Sequence, residues 1–248
     1  MTDALLAVVV GTVDYGEADR IVRLLSAEEG RSAVMARQAR SSRRRFQGAL
    51  DFGTQVRVHR RKGRGGLPLL TGVDVVHAPT RARGDLDRIA LLAYGCEVCA
   101  GLAPEYHEAP RLFRLLVTWL DVLESDEPIG AASRLALESK ALTFAGLTPA
   151  LLTCARCALP LDDPAAFDPE AGGGLHLHCG SGRDVRAELL REIEDLRRTP
   201  LAHTTARITD PGTHWLLSDF IRHQLGRDLR TRRLLEDLET AANGGGIG

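Results

Sequence analysis

The chain has 248 residues, of which 44% are hydrophobic and 26% are charged, and its formal net charge at pH 7 is −1. This composition excludes a wholly disordered protein and leaves enough sequence for two small domains with hydrophobic cores. No stretch is apolar enough to span a membrane, no signal peptide is evident, and five cysteines, four of them in C-x-x-C pairs, favour a reducing compartment over a disulfide framework.

Residues 1–78 predict a small β-barrel or β-sandwich. Short and often valine-rich runs are separated by clusters of Gly, Asp and Ser, which is typical of strands joined by turns. In one run, Val56 and Val58 alternate with Arg57 and His59, as expected for a strand with one buried face. Five strands without a long helix between them favour an OB-fold. The runs lie at residues 5–13, 20–25, 33–36, 55–58 and 67–76.

Basic residues are concentrated in the second half of this predicted barrel. Residues 31–64 contain eleven arginines and lysines and one acid, Asp51. Because neighbouring like charges repel, such clustering favours an anionic partner, and nucleic acid is the natural candidate. A solvated basic edge that prevents pairing between strands is the alternative. The candidate DNA-binding residues are Arg37, Arg40, Arg43, Arg44, Arg45, Arg60, Arg61, Lys62 and Arg64.

The few aromatic residues limit the kind of binding. Only Tyr15, Phe46 and Phe52 are available for stacking on bases in the first 80 residues, and some of these are expected in the core. Proteins that bind single strands tightly usually stack several bases on aromatic rings. The sequence therefore predicts contacts mainly to the phosphate backbone, in duplex as well as single strands. Phe46 is the best stacking candidate, and its burial is the alternative.

From about residue 82 the hydrophobic period becomes helical. Apolar stripes at residues 86–93, 112–123 and 135–144 predict helices, as do residues 185–198, 213–225 and 229–242. Cys96 and Cys99 would share one helical face, so they are interpreted as core residues rather than metal ligands. Four arginines near the C-terminus either extend the DNA surface or pair with local acids: Arg227, Arg230, Arg232 and Arg233.

Two pairs of potential metal ligands lie between these helical regions. Cys154 and Cys157 form one pair, and His176 and Cys179 form the other, with two residues inside each pair. This spacing lets each turn point two side chains at one Zn²⁺, and the prolines and glycines between the pairs allow the chain to return. The sequence predicts a closed, structural Cys₃His site. His178 is the alternative to His176, and a coincidence of buried cysteines is the alternative to a metal site.

A catalytic zinc site is not supported. A base deaminase would carry H-x-E followed by P-C-x-x-C, but Thr153 precedes Cys154 and no suitable His-x-Glu triplet lies upstream. A zinc-dependent hydrolase or deaminase would also need a metal-bound water beside a carboxylate. A zinc-ribbon protein associated with RNA, the ribosome or transcription is the other alternative, and it would prefer structured RNA to DNA.

Several segments together resemble the bacterial recombination mediator family RecO. Residues 15–21 resemble its YGE-x-DRI segment, residues 44–52 its RF-x-G-x-L-x-P-F pattern, and residues 63–70 its glycine-rich turn. Residues 138–151 lead into Cys154 as that family's helix leads into its zinc loop, and residues 225–234 are similar to its last helix. His176 departs from the pattern, because the family commonly has Cys there, and Asp51 departs because the family often has Pro.

The resemblance implies an α+β fold and a role in DNA repair. It implies an N-terminal five-stranded OB-fold barrel (residues 1–80) and a C-terminal all-helical domain (residues 81–150 and 181–242) with an inserted zinc-ribbon-like module (residues 151–180). Residues 243–248 are expected to form a disordered tail. The implied partners are single- and double-stranded DNA, RecR, single-strand-binding protein and, indirectly, RecA. Such a protein anneals complementary strands in the cytoplasm, at the nucleoid, and needs no catalytic residues.

Overall fold

The computed structural model describes residues 3–40, 46, 48–63, 66–204 and 215–244. The chain folds into two compact units, residues 1–124 and residues 125–248. The predicted boundaries of the barrel, the helical domain and the metal module stay predictions. Among the described residues, no helix combines the length and the apolar character that crossing a membrane requires.

A closed five-stranded barrel forms the first part of the first unit. Around the barrel the strands follow the order β1-β2-β3-β5-β4, and only β3 and β5 are parallel neighbours. All five strands lie where the valine-rich runs predicted them, which confirms the expected OB-type barrel. The strands are β1 (Asp3–Tyr15), β2 (Asp19–Ser26), β3 (Gly30–Ala36), β4 (Gln55–Arg61) and β5 (Leu69–His77).

Alternate residues of the strands fill the barrel. Val56 and Val58 of β4 are fully buried, as predicted, and they pack with Val22 of β2 and Val34 of β3. Burial of such a side chain contributes about 1.5–3 kcal/mol to stability. Phe46 belongs to the same cluster and is 6% exposed. The expectation that Phe46 stacks on bases is therefore wrong, and its burial is confirmed.

Three helices complete the described part of the first unit: α1 (Thr80–Arg83), α2 (Leu86–Leu102) and α3 (Pro110–Glu124). The Asp85 side chain caps α2 by accepting a hydrogen bond from the Arg88 backbone N–H at 2.9 Å. Because α2 contacts both α3 and strand β1, its apolar residues are buried on more than one side. Cys96 and Cys99 are among them, and burial raises the pKa of Cys96 to about 12 and that of Cys99 further. Their interpretation as core residues is confirmed.

The second unit is built around the buried helix α4 (Ala131–Phe144), which contacts α5 (Ala187–Arg198) and α6 (Leu216–Leu225). Arg134 and Glu138 form a buried ion pair on α4 at 2.7 Å, and the Arg134 guanidinium lies 3.8 Å from the centre of the Trp215 ring. The last helix, α7, comprises Arg230–Gly244. It thus includes two residues of the predicted tail, and residues 245–248 lie outside the described residues.

A small antiparallel sheet lies in the segment that contains the candidate metal ligands. Its strands are β6 (Ala165–Asp168), β7 (Gly173–His176) and β8 (Arg183–Val185), in the order β7-β6-β8. The sequence predicted turns here and a helix from residue 185, but Val185 ends β8 and the helix begins at Ala187. Strands of three or four residues are too short to show an alternating pattern, which is why they escaped prediction.

Candidate metal centre and nucleic-acid interface

Four side chains of the second unit converge on one point. The ligand atoms of Cys154, Cys157, His176 and Cys179 all lie within 4.8 Å of one another. Each predicted pair lies on a tight turn, since the Ala158 N–H donates to the Cys154 carbonyl and the Cys179 N–H donates to the His176 carbonyl, both at 2.9 Å. These four residues can therefore hold a metal ion.

Backbone contacts hold the two turns together. The Ala155 N–H donates to the Gly174 carbonyl, and the Gly174 N–H donates to the Ala150 carbonyl, both at 2.8 Å. Gly173 has a φ of +140°, and a Cβ atom there would lie 2.4 Å from the Ala150 carbonyl oxygen. Glycine is therefore required where the hairpin of β6 and β7 passes the chain that leads into Cys154.

The His176 ring is oriented by a contact on the side away from the cysteines. Its Nε2 atom lies 2.9 Å from the Pro160 carbonyl oxygen, which can only accept, so Nε2 carries the proton. Nδ1 lies 3.4 Å from Cys157 Sγ and is the nitrogen available as a ligand. The Pro160 contact and then the Cys157 thiol raise the pKa of His176. Metal-binding histidines usually have such a hydrogen bond on the other ring nitrogen.

The thiols also suit a cation. Burial disfavours ionisation of Cys154, but the backbone N–H groups of Cys157, His176 and Arg156 outweigh it and lower the pKa of Cys154 to about 6. Burial and the neighbouring thiols of Cys157 and Cys154 raise the pKa of Cys179 to about 11. A divalent cation at the centre would favour both thiolates, because it cancels their mutual repulsion. The residues present therefore fit a metal ion.

His178, the alternative ligand, lies beside the group rather than in it. Its exposed ring stacks on the ring of His176, with centroids 5.1 Å apart and planes inclined by 9°. The structure thus brings His176 to the three cysteines, because His176 ends strand β7 and faces inward, whereas His178 lies beyond the strand.

Strand pairing joins three connections along one side of the barrel in the first unit. Met35, near the end of β3, pairs with Leu69 at the start of β5, which also pairs with Arg61 at the end of β4. The Gln38 N–H donates to Asp19 Oδ1 at 2.8 Å, which joins the β1–β2 turn to the segment after β3. We call this surface, residues 14–20, 37–40, 61–63 and 66–68, the basic end of the barrel; residues 61–63 also lie near the β2–β3 turn, because the neighbouring Arg60 contacts Glu29 there.

Four predicted DNA-binding residues lie at the basic end, and all four are exposed: Arg37, Arg40, Arg61 and Lys62. Arg40 lies 3.5 Å from the Asp14 carboxylate and donates to the Gly16 carbonyl at 3.3 Å. An exposed pair of this kind contributes little to stability, so a phosphate can replace the carboxylate. The other three have no carboxylate partner among the residues that the structure describes.

Arg60 differs from these four because its side chain points into the barrel. The alternation that buries Val56 and Val58 also buries Arg60 and exposes Arg61. The Arg60 guanidinium donates to both carboxylate oxygens of Glu29, at 2.6 and 2.5 Å. Bidentate pairs are among the stronger polar contacts in proteins. The role of Arg60 in DNA binding stays a prediction, and the structure gives it a contact that stabilises the barrel.

Glu29→Ala is expected to lower the free energy of unfolding of the first unit by about 2–3 kcal/mol, because it leaves the buried Arg60 charge without its carboxylate. Urea-induced unfolding measures this loss. Glu28→Ala is the matched control, since Glu28 is exposed in the same turn. Equal stability of the two variants would show that the Glu29–Arg60 pair does not stabilise the barrel.

The remaining candidates are not all placed by the structure. Arg43, Arg44, Arg45 and Arg64 lie outside the described residues. Of the arginines near the C-terminus, Arg232 contacts the Asp219 carboxylate, lies 2.7 Å from Glu236 Oε1 and lies over the Trp215 ring at 5.1 Å. Arg232 therefore pairs with local acids, which is one of the two roles that the sequence left open.

Known proteins resemble this chain in both of its parts. Residues 1–79 match the family model described as Recombination protein O N terminal, and residues 83–233 match Recombination protein O C terminal. DNA repair protein RecO of Anaeromyxobacter sp. (strain K) is 39% identical over 244 residues, which cover 94% of this chain and 96% of that protein. DNA repair protein RecO of Pelobacter propionicus is 41% identical over 184 residues, 74% of each chain. That of Myxococcus xanthus is 38% identical over 233 residues, 91% of this chain and 93% of its own. The chain therefore belongs to the RecO family of DNA repair proteins.

Proposed function

We propose that the protein is a recombination mediator that binds single- and double-stranded DNA through the basic end of the barrel and anneals complementary strands. The supporting observation is the group of exposed cations there, of which Arg37, Arg61 and Lys62 have no carboxylate partner among the described residues. Cations without a carboxylate partner can neutralise phosphates without first breaking an ion pair.

Strand annealing requires that the repulsion between two phosphate backbones falls while the base edges stay free. Contacts to phosphates meet this requirement because they hold a strand without reading its bases. A surface with many aromatic rings would instead hold the bases away from their complements. Burial of Phe46 leaves Tyr15 as the exposed aromatic ring among the described residues of the basic end. The proposed surface therefore acts mainly by charge.

The four convergent residues of the second unit hold, in this proposal, a structural Zn²⁺. Three thiolates and one imidazole are ligands that Zn²⁺ prefers, and four protein ligands leave no position for the water that a catalytic zinc needs. The Pro160 carbonyl orients His176, and the N–H groups around Cys154 stabilise its thiolate. The ion would join the Cys154–Cys157 turn to strand β7. The protein accordingly acts by binding rather than by catalysis.

Membership in the RecO family supports the proposed partners. In this proposal the protein acts with RecR to help load RecA onto strands coated with single-strand-binding protein. Its place of action would be the cytoplasm, at the nucleoid. We also propose that DNA repair depends on both activities, namely binding to the strands and annealing of complementary strands.

Equilibrium binding to labelled oligonucleotides, with annealing followed in parallel, tests the proposal. The protein is expected to bind both a single strand and a duplex and to accelerate annealing of complementary strands over the spontaneous rate. A preference for structured RNA over both DNA forms would instead support a zinc-ribbon protein associated with RNA. Absence of DNA binding would refute the proposed function.

A further inference from the structure

The hairpin of β1 and β2 extends beyond the core at the basic end of the barrel. In the first half of β1, Leu5, Ala7 and Val9 are buried. Residues 12–15, in its second half, are exposed on both faces. Tyr15 is the last residue of β1 and pairs with Asp19 across the turn. Its side chain is 56% exposed. An aromatic ring thus stands free of the core at the tip of the hairpin.

Arg40 contacts the turn that directly follows Tyr15. The Arg40 side chain donates to the carbonyl of Gly16, the residue that follows Tyr15, at 3.3 Å. The Arg40 backbone N–H also donates to the Ala18 carbonyl at 3.0 Å, so the segment that carries Arg37 and Arg40 is fixed against the hairpin. A phosphate bound by these arginines would place the attached nucleoside next to the Tyr15 ring.

The other aromatic rings of the first unit do not share this environment. Phe46, Tyr94, Phe113 and Trp119 are buried, and Phe52 is half-buried. Tyr106 is 54% exposed, but its backbone N–H donates at 3.1 Å to the carbonyl of Arg31, at the start of β3. The start of β3 follows the end of β2, whereas Tyr15 lies next to the start of β2, so the two tyrosines lie at opposite ends of the barrel.

We propose that Tyr15 stacks on one unpaired base and thereby gives single-stranded DNA a contact that a duplex cannot use. The inference rests on the proposed function and specifies which form of DNA the basic end favours. Bases of a duplex are covered by their neighbours on both faces, so their rings are not available to a side chain. One stacking residue is compatible with annealing, since it retains one base and leaves the others free to pair.

Tyr15→Ala tests the proposal through its selectivity. The dissociation constant for an oligo(dT) single strand is expected to rise about tenfold, as for the loss of one stacked base. The dissociation constant for a duplex should stay within about twofold, and the salt dependence of binding should not change, because no charge is removed. Tyr15→Phe keeps the ring and should bind as the native protein does. Tyr106→Ala removes an equally exposed tyrosine from the opposite end and should also bind normally.

A spectroscopic readout tests the same contact without a loss of binding. The native protein contains three tyrosines, so 3-fluorotyrosine labelling gives three ¹⁹F resonances. The resonance of Tyr15 is identified as the one that is missing from the spectrum of the Tyr15→Phe variant. It should shift when oligo(dT) is added and stay in place when duplex is added.

Two results would overturn the inference: unchanged binding of oligo(dT) by Tyr15→Ala, or an equal loss for single strand and duplex. Failure of the proposed function is distinguishable from either, because the native protein would then bind neither DNA.

Discussion

Cys154→Ala is expected to abolish metal binding and to unfold the part of the second unit around β6 and β7. Cys154 is 1% exposed, and three backbone N–H groups favour its thiolate. Binding of a structural zinc contributes about 10 kcal/mol or more in small zinc domains, which is comparable to the whole stability of a domain. Zinc content of the purified protein and its thermal unfolding curve measure the two effects.

Cys96→Ala is the matched control for this variant. Cys96 is 2% exposed, so each substitution removes one buried sulfur atom. Cys96 is a core residue of α2, and its loss should cost about 1 kcal/mol and leave the zinc in place. A Cys154→Ala protein that lacks zinc and still melts at the native temperature would contradict the structural role of the ion.

Simultaneous replacement of Arg37, Arg61 and Lys62 by alanine is expected to weaken binding to duplex and single-stranded DNA. Each phosphate contact contributes about 0.9 to the slope of log K against log salt for duplex, so three lost contacts make the slope shallower by about 2.7. Between 50 and 200 mM salt, the native protein should then lose about 40-fold more affinity than the variant. Fluorescence anisotropy at several salt concentrations gives both slopes.

The matched control removes the same charge elsewhere in the first unit. Arg81, Arg111 and Arg114 are exposed on α1 and α3, and their joint replacement by alanine should leave the slope unchanged. All six side chains are exposed, so neither triple variant should lose much stability. Equal effects of the two variants would show that net charge, rather than the basic end, governs binding.

The barrel could be predicted because its strands are long enough to alternate. The same alternation extends to Arg60: because Val56 and Val58 point inward, Arg60 two residues later points inward as well. A buried arginine requires a carboxylate, and this would have indicated an ion pair for Arg60 from sequence alone. Which carboxylate it is, Glu29, depends on strand pairing and could not be read from the pattern.

The metal ligands show a similar division. Two-residue spacing predicted both turns, because it describes a local geometry. The choice between His176 and His178 depends on where β7 ends, and a strand of four residues leaves too weak a pattern to show this. The carbonyl that orients His176 belongs to Pro160, and no sequence signal marks it because every residue has a carbonyl. Exposure of Tyr15 likewise follows from how far the hairpin extends beyond the core.

The salt dependence of duplex binding by the native protein tests the central claim most directly. Eight of the predicted DNA-binding residues remain when Arg60 is set aside, and four of them are exposed at the basic end as the structure describes it. At about 0.9 per phosphate, four to eight contacts predict a slope of log K against log salt between about −3.5 and −7. A slope shallower than about −1 would contradict binding through the phosphate backbone.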